Sequence, residues 1–512
     1  MEGMRSPFWP LVLVMALFGA THAIASSITT DVPSVEVLSD SLTAAHVGPI
    51  APAPTPTSTT TTAPSSTTTT STIPVNPACW NEGFAFAEEN PEADALSTRI
   101  DAALEHRGFD GHDVSVSVWV DGWGEIATHN PDLRLHPASN QKVLTAIGAN
   151  ELLDLSAPLS TNIERSGNDL IIRAAADPTL TFPRLMAAID AARPAIGPTI
   201  DRLIIDASEY PQDPAAIGWL PNDIPGYVGP LSGLMLDNNR WAGAGPLTRN
   251  PEQANGERIA FFLRERNITV DSVLVTRLVK PAPGKTVATV ESAPIGSLVG
   301  TMLLASDNQN ADLLLMEMGR LTSGVGSLAA GADAVESVLY DNCGSLDGLI
   351  NDGSGLSREN WRSARSLVQS LAAIHGTPEG ELLRSQLPVG GVSGTLAGRF
   401  GGANAGHVQA KTGTLHTARA LSGWAKMADG RDAIFSVIVN GQAGGSVAGA
   451  IPAIDALVKE ILVRPGPPLI VDEAPPVVAP ERPLPNSADE SKSPTPEQTP
   501  DPQPDLRILQ AE

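Results

Sequence analysis

Alternating apolar and polar positions predict a strand pair early in the chain. Valines occupy every second position of residues 114–120, and serine or tryptophan stands between them. Asp121-Gly122, a frequent hairpin turn pair, leads back through a second strand from Trp123 to Thr128. A helix precedes the pair, opening at Pro91 and stopping at Gly108. Its apolar face consists of Leu96, Ile100, Ala103 and Leu104.

The same pattern returns in reverse order near the other end. Residues 421–427 and 433–439 form a second predicted strand pair, joined by Asp429-Gly430. A closing helix over residues 448–462 follows, with Pro452 in its first turn. Because helix and hairpin come first and hairpin and helix come last, we expect both ends to complete one antiparallel sheet flanked by helices, in an α/β (α+β) fold.

The middle of the chain has a different pattern of residues. Between residues 159 and 293, short strand-like runs at 169–173, 202–206 and 272–278 alternate with loops rich in proline and glycine. This pattern predicts an inserted, mainly β domain. The predicted catalytic domain therefore has two parts, residues 79–158 and 294–464.

The two ends of the chain differ from the folded part. Residues 1–25 resemble an export signal, with Arg5, an apolar run over 8–20 and Ala23-Ile24-Ala25 before the cleavage point. An uncleaved anchor is the alternative, and both place the protein outside the cytoplasm. Residues 26–78, rich in threonine and proline, predict a disordered linker, and 465–512 a disordered, acidic, proline-rich tail.

Charge and cysteine content exclude several classes of function. The 512 residues contain 57 acidic and 33 basic side chains, a formal net charge of −24, which argues against nucleic acid or an anionic membrane as the main partner. The two cysteines, Cys79 and Cys343, cannot form a thiolate zinc cluster. Outside the cytoplasm they could pair, but the sequence leaves that open. We identify no metal site.

The first candidate motif is Ser139-Asn140-Gln141-Lys142. Apolar residues follow it at helical spacing, so Ser139 is predicted at a helix N-terminus with Lys142 one turn later on the same side. A serine hydroxyl needs a nearby base to become a nucleophile, and a lysine can serve when its pKa is lowered. An ordinary capped helix explains the motif equally well.

The second candidate motif is Ser306-Asp307-Asn308, which precedes a predicted helix. All three residue types cap helices, so capping alone is a sufficient explanation. In the functional interpretation, Ser306 relays a proton to a leaving amine and Asn308 binds a substrate amide.

The third candidate motif, Lys411-Thr412-Gly413-Thr414, lies between two strand-like runs. A lysine followed by a turn explains it structurally. In the functional interpretation, Lys411 lowers the pKa of Lys142 and attracts a carboxylate. Thr412 and Thr414 offer hydroxyls to that carboxylate, and Gly413 lets substrate backbone approach the strand edge.

The order of the motifs makes them specific together. Ser-x-x-Lys, Ser-Asp-Asn and Lys-Thr-Gly follow one another as in penicillin-binding proteins and class A β-lactamases. The chain resembles the D-alanyl-D-alanine carboxypeptidase/endopeptidase group of class C low-molecular-weight penicillin-binding proteins (peptidase family S13). Further segments similar to that family are Asp177-Pro178-Thr179-Leu180, the DGSGLSR loop at 352–358, and Gly394-Thr395-Leu396 with Arg399.

The resemblance implies a penicillin-binding/β-lactamase-like transpeptidase fold and a serine-type D-Ala-D-Ala carboxypeptidase. Ser139 attacks the peptide carbonyl, Lys142 takes its proton, and the backbone N–H groups of Ser139 and Thr414 hold the oxyanion. Ser306, with Lys142 and Lys411, returns a proton to the amine. Peptidoglycan stem peptides are the implied substrates and β-lactams the implied inhibitors, with no cofactor required.

Two alternatives stay open at this point. A β-lactamase-like hydrolase shares the three motifs, although it requires a deacylating glutamate that we cannot assign. A catalytically idle wall-binding protein could keep the fold. The oligomeric state and the role of the insert do not follow from the sequence.

Overall fold

The computed structural model describes residues 90–210, 215–242, 250–277 and 279–462. The predicted signal peptide, linker and tail lie outside these residues, and so does Cys79. Cys343 is disulfide-bonded. Within the described ranges, no helix has both the length and the apolar character needed to cross a membrane.

Helices and strands, connected by loops, are distributed along all the described residues. The strands are β1 (His112–Val120), β2 (Gly124–His129), β3 (Pro158–Ser166), β4 (Asp169–Arg173), β5 (Thr199–Asp206), β6 (Thr269–Thr276), β7 (Lys285–Pro294), β8 (Gly348–Leu349), β9 (Trp361–Arg362), β10 (Val408–Thr414), β11 (Ala418–Lys426) and β12 (Asp432–Gly441). The helices are α1 (Pro91–Leu104), α2 (Gln141–Leu152), α3 (Phe182–Ala191), α4 (Arg193–Ile196), α5 (Asp223–Gly226), α6 (Pro251–Glu265), α7 (Ile295–Leu304), α8 (Asn308–Ser323), α9 (Leu328–Asp341), α10 (Ala364–Ala373), α11 (Pro378–Gln386) and α12 (Ala450–Ile461).

The main sheet joins the two ends of the described part of the chain. Its five strands follow the order β10-β11-β12-β1-β2, and every neighbouring pair is antiparallel. Val116 of β1 lies opposite Val437 of β12, so the first strand pairs directly with the last. The predicted antiparallel sheet flanked by helices is therefore confirmed, together with the α/β fold class.

Both faces of this sheet are buried. The valines of β1 pack against α1 and α12, in one core that includes Leu96, Ile100, Ile454 and Leu457. The opposite face, which carries Ser115 and Ser117, is also fully buried. Helix α10 lies on this face. It belongs to a helical layer with α2, α8 and α9, and the layer shares one core with Trp119, Trp424, Ile434 and Ile438 of the sheet. The valine–serine alternation therefore marks two buried faces rather than one buried and one exposed face.

Helix α2 lies at the centre of the helical layer. Every residue from Gln141 to Ala149 is buried, including the polar ones. A helix buried on all sides has neighbours all round it. The short turn before it, Ala138–Asn140, contains Ser139 and contacts β10 and β11 of the main sheet.

The insert leaves the catalytic domain after α2 and returns before α7. Its five strands have the order β6-β5-β4-β3-β7, and Pro158 of β3 pairs with Pro294 of β7 where the chain enters and leaves. The β4–β5 and β5–β6 pairs are parallel. Parallel neighbours need crossover connections, and α3 and α6 provide them. The predicted mainly β insert thus contains a mixed sheet with two helices against it, which the sequence pattern did not indicate.

Helices α8 and α9 approach each other through glycines. A methyl group at Gly331 would lie 2.0 Å from the carbonyl oxygen of Leu315, and one at Gly319 would lie 2.6 Å from the amide nitrogen of Gly331. Because backbone atoms occupy that space, neither position accepts a larger side chain without separating the helices.

We expect Gly331→Ala to lower the free energy of unfolding by about 1–3 kcal/mol, since overpacking exceeds the gain in helix propensity. Gly300→Ala in α7 is the matched control, because nothing lies within 4 Å of its added methyl group. The control should raise stability by about 0.5–1 kcal/mol. Denaturant midpoints measure both, and equal stabilisation by the two substitutions would contradict the close helix contact.

Candidate active site

The three motifs meet at one edge of the main sheet. Ser139 lies in a short 3-10 turn, Ala138–Asn140, that runs directly into α2. Asn308 begins α8, and Lys411 stands in β10, the edge strand. The side chains of Ser139, Ser306 and Asn308 are partly exposed, whereas Lys142 and Lys411 are fully buried. The fold therefore buries both lysine side chains and leaves the hydroxyl and amide groups beside them accessible to a substrate.

Lys142 contacts the predicted nucleophile directly. Its Nζ atom lies 3.2 Å from Ser139 Oγ, 2.8 Å from Asn308 Oδ1 and 2.5 Å from the carbonyl oxygen of Ser354. One helical turn separates Ser139 from Lys142, as the spacing predicts. The three acceptors come from the Ala138–Asn140 turn, α8 and the DGSGLSR loop, so Lys142 joins three parts of the chain. We call Ala138–Asn140 the nucleophile turn, after the predicted role of Ser139.

Burial lowers the pKa of Lys142 to about 8, while the negative charges of Asp312, Asp352 and Asp307 oppose the decrease. Burial is therefore the main cause of the lowered pKa. A lysine with this pKa is partly neutral near neutral pH, which a base for Ser139 requires.

Lys411 faces the second motif. Its Nζ atom donates to Ser306 Oγ at 2.9 Å and to the carbonyl oxygen of Thr412 at 2.8 Å. Burial, followed by repulsion from Lys142, holds the pKa of Lys411 well below its usual value. Ser306 itself has a φ of 58°, in the left-handed region that is rare for serine. Such backbone conformations concentrate at functional sites.

Asn308 is engaged at both ends of its amide. Oδ1 accepts from Lys142, and Nδ2 donates to the carbonyl oxygen of Tyr227 at 3.3 Å. Tyr227 belongs to the insert. A substrate amide that binds Asn308 would therefore have to replace one of these two hydrogen bonds.

The third motif lies on the outer edge of β10, beyond the part of that edge that pairs with residues 388–390. The amide of Ala410 donates to the carbonyl oxygen of Pro388 on the side away from β11. Backbone N–H groups two residues apart point to the same side of a strand, so the N–H groups of Thr412 and Thr414 also face that edge. Thr412 Oγ1 lies 2.8 Å from Thr395 Oγ1, and Thr414 is exposed.

Gly413 packs against the turn that carries Ser139. A methyl group at this position would lie 2.7 Å from the carbonyl oxygen of Pro137 and 3.2 Å from the Ala138 side chain. A close approach to the turn that carries Ser139 therefore requires glycine at this position. Ala138 has a φ of 47°, which fits its tight position.

Two buried carboxylates behind the nucleophile were not selected from the sequence. Asp312 accepts from the amides of Gly353 and Ser354 at 3.0 and 2.9 Å. Asp352 accepts from the amides of Gly355 and Ser357 at 2.7 and 2.6 Å. Burial and repulsion from Asp352 raise the pKa of Asp312 well above its usual value. Asp312 stands four residues after Asn308 on the same helix face, and that spacing was the available signal.

Thr395 and Ser354 were also not selected as site residues. Both lie in segments that resemble the family, Gly394-Thr395-Leu396 and the DGSGLSR loop. The sequence pattern nevertheless indicated no role for either residue. Ser354 acts through its main-chain carbonyl oxygen, which any residue type would supply. Residue identity therefore contains no signal for that contact.

Comparison with known proteins identifies relatives along most of the chain. The sequence profile described as the D-Ala-D-Ala carboxypeptidase 3 (S13) family matches residues 96–258 and 243–460. Carboxypeptidase DacB of Mycolicibacterium smegmatis is 31% identical over 409 residues, 73% of this chain and 82% of the relative. A D-alanyl-D-alanine carboxypeptidase of an Actinomadura species is 27% identical over 439 residues, 68% of this chain and 81% of the relative.

A solved structure has the same fold. Penicillin-binding protein 4 of Haemophilus influenzae superposes with a TM-score of 0.61 at 22% identity, over 70% of this chain and 98% of that chain. The predicted penicillin-binding-type fold is confirmed by this match.

The expected enzyme class is confirmed as well. The profile match covers both parts of the catalytic domain and the insert between them. The chain is a serine-type D-Ala-D-Ala carboxypeptidase. It belongs to the D-Ala-D-Ala carboxypeptidase 3 (S13) family.

Proposed function

We propose that Ser139 is the nucleophile and Lys142 the general base of this hydrolase, which forms an acyl-enzyme with D-alanyl-D-alanine peptides. The observation that carries the proposal is the 3.2 Å contact between Ser139 Oγ and a fully buried Lys142. A general base must lie within hydrogen-bond reach of the proton it takes. Lys142 meets that condition and has a pKa near the working range.

In acylation, neutral Lys142 accepts the Ser139 proton as Oγ attacks the carbonyl carbon between the two D-alanines. The negative charge that develops on the carbonyl oxygen needs preorganised donors. We assign these to the backbone N–H groups of Ser139 and Thr414. The orientation of Thr414 toward the outer edge of β10 supports the second assignment.

The departing amine requires a proton when the C–N bond breaks. Ser306 Oγ is placed to donate it, because Lys411 Nζ lies 2.9 Å behind and can replace the proton. Water then adds to the Ser139 ester carbonyl and its proton restores Lys411, while Lys142 returns its proton to Ser139 Oγ as the shortened peptide leaves. The groups used are side chains and backbone amides of this chain.

The substrate-binding residues complete the cleft. We assign the terminal carboxylate to the hydroxyls of Thr412 and Thr414, next to the positive charge of Lys411. Asn308 binds a backbone amide of the peptide. Gly413 belongs to the same segment, where it permits the close contact with the nucleophile turn.

The partners and location follow from this chemistry. Peptidoglycan stem peptides are the substrates, and β-lactams acylate the same serine as slowly released inhibitors. The Haemophilus influenzae protein with the same fold has been solved with a β-lactam, which supports this assignment. Since these substrates lie outside the cytoplasm, we place the enzyme there, secreted or associated with the cell envelope.

The first prediction concerns the nucleophile. Wild-type protein should form a stable, stoichiometric adduct with a fluorescent penicillin, and Ser139→Ala should form none, because the ester oxygen is missing. Ser337→Ala is the matched control, since that serine is exposed on α9. Gel fluorescence and intact mass measure the adduct.

Two outcomes would contradict this assignment. Full labelling of Ser139→Ala would show that another residue reacts. Rapid turnover of the penicillin by the wild type would favour a β-lactamase.

The second prediction concerns the base. The acylation rate should rise with pH and reach half its maximum near pH 8, because Lys142 accepts a proton only when neutral and its pKa is about 8. Lys142→Ala should lower the rate by about 10²–10⁴-fold. Lys142→Arg, which keeps the charge but cannot lose its proton, should be equally slow. Stopped-flow acylation measures these rates, and a fast Lys142→Arg variant would exclude Lys142 as base.

The third prediction concerns the substrate. The wild-type enzyme should release D-alanine from a pentapeptide ending in D-Ala-D-Ala, and Ser139→Ala should not. A cross-linked peptide dimer tests endopeptidase activity in the same assay by mass spectrometry. Stable penicillin binding without release of D-alanine from either peptide would contradict the proposed hydrolysis.

A further inference from the structure

One segment of the insert contacts the catalytic machinery. Trp219, in the loop that follows β5, donates its indole N–H to Asp352 Oδ2 at 2.7 Å. Nearby, Ser357 Oγ donates to the carbonyl oxygen of Ile217 at 2.6 Å, and Arg358 forms an ion pair with Asp223. The Arg358 amide also donates to the carbonyl oxygen of Gly218 at 3.2 Å, so four polar contacts join the insert to the DGSGLSR loop.

Asp352 holds that loop in place through hydrogen bonds to its side chain. Its side chain is fully buried, and its two oxygens accept from four donors. Three donors belong to the loop and the chain after it: the amides of Gly355 and Ser357, and Asn360 Nδ2 at 2.6 Å. Trp219 is the fourth, and it alone comes from the insert. A buried carboxylate depends on such donors, so the loss of one shifts the group and what it holds.

The loop held by Asp352 supports both reacting residues. The carbonyl oxygen of Ser354 accepts from Lys142 Nζ. Gly355, with a φ of 78°, lies against the nucleophile turn so closely that a methyl group there would be 1.8 Å from the carbonyl oxygen of Ala138. A displacement of this loop therefore moves the acceptor of the base and the backbone beside Ser139 together.

We propose that Trp219 is a positioning residue for acylation, which acts through Asp352 to hold the loop that orients Lys142 and Ser139. The insert thereby completes the geometry of the catalytic domain. This inference rests on the proposed roles of Ser139 and Lys142. Small errors in the placement of reacting groups cost large factors in rate, so the contact has a kinetic consequence.

The test compares penicillin acylation of the full chain in the wild type, Trp219→Phe, Asp352→Asn and the double variant. Trp219→Phe keeps the ring and removes the N–H. Trp123→Phe is the matched control, because Trp123 lies in the β1–β2 turn, where Arg431 stacks on it at 4.1 Å. The maximal acylation rate constant and the labelled fraction are measured separately, since a merely loosened fold lowers only the fraction.

We expect Trp219→Phe to lower the rate constant by about tenfold or more with complete labelling. Trp123→Phe should acylate as the wild type does. In the Asp352→Asn background, Trp219→Phe should have an effect below about threefold, because the charged acceptor through which it acts is gone.

Three results would overturn the proposal: a wild-type rate in Trp219→Phe, a reduced labelled fraction at a normal rate, or the same tenfold loss in both backgrounds. If Asp352→Asn does not fold, the rate and labelled fraction of Trp219→Phe decide alone. Failure of the proposed function differs from these results, because the wild type itself would then remain unlabelled or Ser139→Ala would react.

Discussion

The burial of the Lys142 ammonium group is the constraint on which the rest of the site depends. A lysine Nζ atom removed from water needs hydrogen-bond acceptors around it. Lys142 finds them in Ser139, Asn308 and the carbonyl oxygen of Ser354. Because these acceptors belong to three separate segments, satisfying one buried cation requires the nucleophile turn, α8 and the DGSGLSR loop to converge. The same burial lowers the pKa of the lysine, which its proposed role as a base requires.

The nucleophile turn is enclosed by two glycines. Gly413 approaches it from β10, and Gly355 from the DGSGLSR loop, each close to a backbone carbonyl oxygen of Pro137 or Ala138. Ala138 adopts a positive φ between them. Ser139 is thus placed by backbone contacts on both sides, while its hydroxyl stays accessible. Preorganisation of this kind lets the hydroxyl meet a carbonyl carbon without a conformational search.

The insert is a structural partner of the site as well as a separate sheet. Its own core contains residues from α3, α6 and the five strands. Its loop after β5 nevertheless contributes the Tyr227 carbonyl oxygen to Asn308 and the Trp219 indole N–H to Asp352. An element inserted between the first two motifs therefore touches residues associated with both of them.

Local signals determined much of this protein. Valine alternation and the Asp-Gly turn pairs predicted β1, β2, β11 and β12, because strand pleat and turn preference depend on neighbouring residues. Motif order indicated the family and proposed Ser139, Lys142, Ser306 and Lys411 before any contact was known. Only the tertiary structure brought Asp312, Asp352 and Trp219 to the site and buried Lys142, which lowers the pKa of that lysine. The reason is distance along the chain: Lys142 meets Asn308 and Ser354 across separations of 166 and 212 residues, and no local pattern encodes such contacts.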